Sequence, residues 1–200
     1  MGDAEGSVLK PEFYARDTVD VARALLGCIL ETSIADDTTS GRITEVEAYV
    51  GPDDPAAHGY GSRCTPRNAA MFGPPGTAYV YFIYGMHWCF NAVTERSGFP
   101  AAVLVRAIEP LVGLDIMAAR RGTDNVKLLC SGPARLCQAL AIDRETNECS
   151  LTDGLVRILR GERVGVDAIG SSPRIGIKKA TDWPLRFFER GSPWLSRRDP

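Results

Sequence analysis

Three closely spaced segments rich in aromatic and β-branched residues constrain the fold of this chain more than any other feature. They span residues 78–84, 88–94 and 101–108, and residues of these types favour the half-buried surface of a β-sheet. Shorter segments of similar character predict further strands, at residues 28–32, 42–50, 155–159, 174–177 and 185–188.

Three helices are predicted between these strands. Asp17 is typical of the cap of a helix that ends at Gly27. Pro110 suits the first turn of a helix running to about Arg121, and Ser131 suits the cap of a helix over residues 132–141. A polar turn is predicted at residues 35–41. Without repeats or linkers, the sequence predicts a flexible tail at residues 1–10 and a single domain of mixed α and β structure at residues 11–200.

A 26-residue segment rich in glycine, proline, aspartate and arginine separates two of the predicted strands. It covers residues 51–76. Loops this long are uncommon inside a compact domain and usually carry function, so we expect part of a functional site here.

The composition excludes several classes of protein. An apolar share of 44% and a charged share of 24% are those of an ordinary globular protein. No apolar run reaches the length of a membrane span and the N-terminus lacks a signal-peptide pattern, which predicts an intracellular protein. The six cysteines form no Cys-x-x-Cys pair and only two histidines accompany them, so neither a metal nor another cofactor is expected.

The charge is unevenly distributed along the chain. The net charge is −2, but residues 1–60 carry four basic and twelve acidic side chains, which leaves the remainder positive. Basic residues recur at residues 63–67, 120–121, 178–179 and 197–198. Convergence on one face would form a nucleic-acid surface, whereas an even spread would be an ordinary solvated surface.

The predicted strand at residues 42–50 carries two carboxylates on one face. Side chains alternate along a strand, so Glu45, Glu47 and Tyr49 point the same way. One interpretation is a solvent-facing edge strand whose charges discourage aggregation. The other is a site in which a carboxylate does chemistry.

An aromatic face is predicted on the strand at residues 78–84. Tyr79 and Tyr81 share a face opposite Val80, which fits either core packing or a platform that stacks on flat, electron-poor rings such as a methylated purine. At the tip of the following hairpin, Tyr84 and Met86 are either a wedge or simply exposed.

Three further polar residues need partners or a role. Asn91 lies in an apolar strand, where an unbonded amide costs about 1–3 kcal/mol, so it either bonds a neighbouring backbone or lines a pocket. Arg106 needs a carboxylate, and Glu47 is a natural partner that the arginine would keep ionised. His58, in the long loop, is either solvated or part of the site.

In combination, these segments resemble the alkyladenine (3-methyladenine) DNA glycosylase family, the type without a helix-hairpin-helix motif. The similarity runs in order from about residue 12 to residue 196. The segments that carry it are GRITEVEAY (41–49), TPRN (65–68), PGTAYVY (75–81), YGM (84–86), LVRA (104–107), CSGP (130–133) and RGSPW (190–194).

The resemblance implies a fold and an activity. The fold would be a mixed α+β single domain with a largely antiparallel curved sheet flanked by helices and a β-hairpin that inserts into DNA. The activity would be monofunctional hydrolytic excision of 3-methyladenine, 7-methylguanine, hypoxanthine and ethenoadenine from double-stranded DNA, by a monomer that initiates base excision repair.

The resemblance also assigns roles to residues. Glu47 looks like the general base, and Arg106 and the backbone carbonyl of Ile175 like the groups that hold the attacking water. The extruded base would stack on Tyr49, His58 and Tyr81, with Asn91 near its edge. Contacts with DNA would come from Tyr84, Met86, Arg63 and Arg67.

Alternatives stay open on the sequence alone. A protein that binds damaged DNA without turnover would not need Glu47, and a nucleoside hydrolase would act on free nucleosides. A glycosylase with lyase activity would need a buried lysine, but the four lysines lie in polar or terminal segments. Glu45 is expected to be structural or to contact a neighbouring loop.

Overall fold

The computed structural model describes residues 6–198. Within this range the chain forms five α-helices and eight β-strands in one α+β domain, together with four short 3-10 helices. In chain order the elements are α1 (Pro11–Tyr14), α2 (Thr18–Leu25), β1 (Ile29–Ile34), β2 (Asp37–Tyr49), β3 (Ala78–Ile83), β4 (His87–Thr94), β5 (Ala101–Val112), α3 (Leu114–Arg121), α4 (Val126–Leu129), α5 (Pro133–Ala139), β6 (Val156–Leu159), β7 (Ile169–Ser172) and β8 (Arg186–Glu189).

The strands form an open antiparallel sheet with β2 at its centre. The order is β3-β4-β5-β2-β1-β6, and β8 joins β2 to β7. The 13-residue β2 pairs with β5 along one side. Along its other side, its first half pairs with β1 and the Glu45–Glu47 stretch pairs with β8. The middle of β2 is therefore enclosed on both sides, and the edge-strand interpretation is wrong.

The two faces of the sheet have different environments. Val46 on β2, Val80 on β3 and Val105 on β5 belong to the hydrophobic core, together with buried residues of α2 and α5. Since side chains alternate, Glu47, Tyr79 and other intervening residues lie on the opposite face. The predicted separation of Tyr79 and Tyr81 from Val80 is confirmed.

A β-bulge sets this alternation in β2. The register with β5 shifts between Ile43 and Glu45 and again between Glu45 and Val46. Ile43 and Val46 consequently both lie in the core, although they are three residues apart. An extra residue in one strand re-aims the side chains that follow it, so Glu45 and Glu47 point away from the core helices.

Helix α2 follows its sequence signals. Asp17 caps α2 by accepting hydrogen bonds from the backbone N–H groups of Val19 and Asp20, as predicted. Val21, Ala22 and Leu25 form its buried face. The cap and this apolar face together fix where the helix begins and which side packs on the sheet.

Three local expectations are wrong. The predicted turn at residues 35–41 is a two-residue turn, because Thr38–Gly41 pair with β1 and the buried Thr39 hydroxyl bonds Thr32. Pro110 lies in β5 opposite Gly41, beside a register shift where its missing N–H is tolerated, and α3 begins only after Gly113. Ser131 does not cap α5, which begins at Pro133 after Gly132.

Two further segments differ from expectation. Residues 174–177 are irregular, and the neighbouring strand is Ile169–Ser172 instead. In the predicted tail, residues 1–5 lie outside the described residues. Val8 forms a bridge with Leu159, and the buried apolar side chain of Leu9 explains why this part packs on β6.

Among the helices of residues 6–198, none combines the length and the apolar character needed to span a bilayer.

Candidate active site

A cavity of about 480 Å³ lies on the sheet face opposite the core helices. Most of its lining comes from the long loop around residues 55–58, strands β3 to β5 and the irregular segment at residues 175–179. Tyr49 at the end of β2, Met71, and Pro133 and Ala134 at the start of α5 complete it. Seven residues that the sequence analysis assigned to the site are found in its lining: Tyr49, His58, Tyr81, Tyr84, Asn91, Arg106 and Ile175. The structure therefore brings most of the predicted site residues together.

Aromatic rings form one wall of the cavity. The ring centroids of His58 and Tyr81 lie 4.6 Å apart, and those of Tyr79 and Tyr81 lie 5.3 Å apart. His58 Nδ1 lies 2.7 Å from the Tyr79 hydroxyl. Burial, helped by the charge of Arg67, lowers the pKa of His58, so the ring is neutral over the physiological range. The wall is therefore an uncharged aromatic surface, of a kind that suits stacking.

Glu47 is fully buried behind Tyr49, Arg106 and Ile175. Its Oε1 accepts a hydrogen bond from the Ile175 backbone N–H at 2.7 Å and lies 3.1 Å from Arg106 Nη1. Its Oε2 accepts a hydrogen bond from the Tyr49 hydroxyl at 3.0 Å. Three donors thus fix the carboxylate beside the cavity wall.

The groups around Glu47 keep their protons. Burial and the Glu47 charge raise the pKa of Tyr49, so its hydroxyl stays a donor. Burial acts to lower the pKa of Arg106, but the charges of Glu47 and Glu45 outweigh it and raise that pKa. The predicted pairing of Arg106 with Glu47 is present in the structure.

The contacts of Glu45 are made with other elements of the fold. Its Oε1 accepts hydrogen bonds from Arg106 Nε at 2.9 Å, from Arg186 Nε at 2.8 Å and from the Ser196 hydroxyl at 2.7 Å. Its Oε2 accepts one from the Ser196 backbone N–H at 2.6 Å. Neither carboxylate itself lines the cavity, but the three donors to Glu47 all do, whereas Glu45 is tied to Arg186 and to the C-terminal segment as well as to Arg106.

Asn91 satisfies both interpretations of its position. Its Nδ2 donates a hydrogen bond to the Tyr79 carbonyl oxygen at 2.9 Å, and its side chain also lines the cavity. The backbone contact fixes the orientation of the amide within the cavity wall.

The hairpin between β3 and β4 presents large apolar side chains to solvent. Tyr84 is 78% exposed and Met86 is 69% exposed. Both Tyr84 and Gly85 have positive φ values, of 55° and 69°. This exposed apolar tip stands beside the cavity, since Tyr84 also belongs to the cavity lining.

The predicted DNA-contacting arginines lie in different environments. Arg63 is exposed. Arg67 is also exposed but donates a hydrogen bond to the Phe82 carbonyl oxygen at 3.1 Å and lies 5.7 Å from the Tyr81 ring centroid. Arg67 therefore contacts the hairpin that carries Tyr84.

Several residues at the site were not expected from the sequence. A fully buried ion pair joins Asp54 to Arg174; its only sequence signal was an arginine in an apolar-looking segment. Lys178 and Lys179 are exposed and line the cavity, whereas in the sequence they stand out only as two of the recurring basic residues. The hydrogen bond from the Ile175 N–H to Glu47 was also not expected, since the resemblance assigns a role only to the Ile175 carbonyl, as a group that holds water.

In the part of the chain that the structure describes, no group of three or more histidine, cysteine, aspartate or glutamate side chains is placed to hold a metal ion.

Comparison with known proteins places the chain. Residues 12–193 match the family described as Methylpurine-DNA glycosylase. A Methanoculleus marisnigri protein with the provisional name 3-methyladenine DNA glycosylase is 52% identical over 193 residues, which cover 95% of this chain and 99% of that protein.

Two mammalian proteins named DNA-3-methyladenine glycosylase are also similar. The mouse protein is 47% identical over 94% of this chain and 61% of its own length. The human protein is 46% identical over 92% of this chain and 66% of its own length. With a family match over almost the whole chain and these identities, the chain belongs to the methylpurine-DNA glycosylase family.

Proposed function

We propose that this DNA glycosylase extrudes damaged purines from duplex DNA and hydrolyses their N-glycosidic bonds. The substrates would be 3-methyladenine, 7-methylguanine, hypoxanthine and ethenoadenine, and the product an intact abasic site that starts base excision repair. The observation that carries the proposal is a buried carboxylate, Glu47, fixed by three donors behind a cavity walled by aromatic rings. We also propose that the enzyme acts as a monomer, because residues of one chain complete the cavity.

Extrusion has to come first, since a base inside the duplex cannot reach the cavity. Unstacking costs a few kcal/mol, and least for a damaged base. Tyr84 would fill the gap left in the duplex, with Met86 beside it, while Arg63 and Arg67 contact the DNA backbone. The exposure of Tyr84 and Met86 supports this role.

The chemistry would then fall to Glu47. Cleavage of the glycosidic bond leaves an oxocarbenium-like sugar, which the Glu47 anion stabilises. Glu47 takes a proton from the attacking water, whose oxygen bonds to the anomeric carbon while the bonding electrons leave with the purine. Arg106 and the Ile175 carbonyl would hold this water. Tyr49 and Arg106 already position the carboxylate.

The cavity walls would select the base. Tyr49, His58 and Tyr81 would stack on the purine, most strongly on a cationic alkylated ring. Asn91, oriented by the Tyr79 carbonyl, would disfavour the amino group of an intact guanine.

A panel of duplex oligonucleotides, each with one lesion, tests this function. We expect release of all four proposed purines and no release of normal guanine. Specific binding to lesion DNA with no release would favour the alternative of a damage-binding protein. Cleavage of free inosine without action on duplex DNA would favour a nucleoside hydrolase.

Replacement of Tyr84 by alanine should lower the excision rate on duplex substrate about tenfold, since stacking on one base contributes about 1–3 kcal/mol. Single-turnover kinetics would measure this. Because Tyr84 is exposed, the free energy of unfolding should stay within about 0.5 kcal/mol of the original. Val166→Ala, an equally exposed position outside the cavity lining, is the control. Equal excision rates for Tyr84→Ala and Val166→Ala would show that Tyr84 does not act as a wedge.

The enzyme should give no covalent adduct when borohydride is added during turnover. Lys178 and Lys179 line the cavity but are exposed, whereas an amine nucleophile is usually activated by desolvation. Denaturing gels after reduction would measure the adduct. An adduct that disappears in Lys178→Ala or Lys179→Ala would show lyase chemistry and contradict the proposal.

A further inference from the structure

We propose that the buried Asp54–Arg174 pair positions the catalytic carboxylate by tying the long loop to the segment that carries Ile175. The pair would act through Ile175 and Tyr49 and not touch the substrate, so both members are positioning residues. The inference deepens the proposed function and rests on it.

The pair has close, two-point geometry. Arg174 Nη1 lies 2.5 Å from Asp54 Oδ2, and Arg174 Nη2 lies 2.8 Å from Asp54 Oδ1. Both side chains are completely buried. Separating the two side chains would leave uncompensated charges in a low-dielectric interior, which is energetically costly. The pair is therefore expected to resist displacement.

Each member also organises its own part of the chain. Asp54 accepts hydrogen bonds from the backbone N–H groups of Val50 and Ala56, which shapes the loop leading to His58. Arg174 donates to the Ala48 carbonyl at 3.0 Å, and its guanidinium lies 4.7 Å from the centroid of the Tyr49 ring. The pair thus joins β2, the loop and the irregular segment at one point.

This point adjoins two of the groups that hold the reacting carboxylate. Arg174 directly precedes Ile175, whose N–H holds Glu47 Oε1 at 2.7 Å. Tyr49, under the Arg174 guanidinium, holds Glu47 Oε2. Two of the three donors on the carboxylate are therefore set by the position of Arg174, and a displacement of about 1 Å at a catalytic group can reduce the rate about a hundredfold.

Two variants separate positioning from simple stabilisation. Asp54→Asn keeps the size of the side chain but leaves Arg174 as an unpaired buried charge. The double variant Asp54→Asn/Arg174→Met also removes that charge. We expect the single variant to unfold several degrees lower than the original chain, and the double variant to regain much of that loss.

The excision rate constant should behave differently. Under single-turnover conditions on a hypoxanthine duplex, we expect both variants to be roughly 10- to 100-fold slower than the original chain. Rates are normalised to the active fraction by titration, so that lost folded protein lowers the amplitude only. Glu189→Gln, which breaks the two-point pair with Arg42 outside the cavity, should keep the original rate constant.

The outcomes are distinct. A double variant that regains the original rate constant along with its stability would overturn the positioning role, as would a single variant with an unchanged rate. Absence of hypoxanthine release by the original chain would instead count against the proposed function. Slow excision in both variants, with normal excision in Glu189→Gln, supports the inference.

Discussion

Replacement of Glu47 by glutamine should lower the rate of purine release about a thousandfold. A glutamine keeps the shape of the side chain: its amide oxygen can accept from the Ile175 N–H, and its NH2 group can donate to the Tyr49 hydroxyl oxygen in place of the bond that Tyr49 donates to Glu47. It neither accepts a proton from water nor stabilises an oxocarbenium-like sugar with a full negative charge. Single-turnover excision from hypoxanthine and 3-methyladenine duplexes would measure the loss.

Binding of lesion DNA separates chemistry from recognition in this variant. The aromatic wall and the exposed hairpin tip do not involve Glu47, so we expect Glu47→Gln to bind a lesion duplex within a few-fold of the original affinity. Full release of either base by Glu47→Gln would eliminate Glu47 as the general base. Lost binding together with lost release would point to misfolding, which thermal unfolding detects.

Replacement of Glu45 by glutamine should instead have its main effect on stability. This carboxylate is fully buried and contacts two guanidinium groups and Ser196. Removal of its charge leaves Arg106 with one carboxylate partner instead of two and Arg186 with none. Breaking comparable buried pairs lowers the free energy of unfolding by about 3–5 kcal/mol. Denaturant unfolding would measure the change.

The matched control is Glu31→Gln, which breaks a partly exposed pair with Arg157. Such pairs contribute about 0–1 kcal/mol. A loss below about 1 kcal/mol in Glu45→Gln would contradict the structural role. The excision rate of its folded fraction should stay far above that of Glu47→Gln, because Glu47 keeps its own donors.

Glu45 also makes the stability of the fold depend on pH. Burial acts to raise the pKa of Glu45, but hydrogen bonds from Arg186 and Ser196 and the charge of Arg106 outweigh it and lower the pKa below the usual glutamate value. A lowered folded-state pKa stabilises the fold above the unfolded pKa. This contribution is lost as pH falls below about 4, and Glu45→Gln should flatten that dependence.

Local patterns were sufficient for much of the fold. The aromatic and β-branched segments became β3, β4 and β5, and the alternation that put Tyr79 and Tyr81 opposite Val80 held because a half-buried strand has a period of two. Asp17 capped its helix because the cap bonds only to residues two and three positions away.

Resemblance and residue type brought together most of the site. Tyr49, His58, Tyr81, Asn91 and Arg106 were named from the sequence, and all five line one cavity. Their catalytic and binding roles stay proposals. An arginine and an amide in apolar strands had already required partners, because unpaired polar groups are costly to bury.

Only the tertiary structure decided what encloses Glu45 and Glu47. The bulge in β2 turns both carboxylates away from the core helices, and a bulge depends on pairing with β5 some sixty residues away. Pairing with β8 converts a plausible edge into the centre of the sheet. A strand's own sequence does not specify how many neighbours it has.

Long-range contacts are what distinguish the surroundings of Glu45 from those of Glu47. The sequence determined that a carboxylate pair shares one strand face with a tyrosine, since that follows from residue spacing alone. Ser196 reaches Glu45 from 151 positions away, and the Ile175 amide reaches Glu47 from 128 positions away. Such contacts depend on how the whole chain packs and have no local periodicity, so only the folded structure distinguishes the carboxylate beside the cavity from the one in the ion-pair cluster.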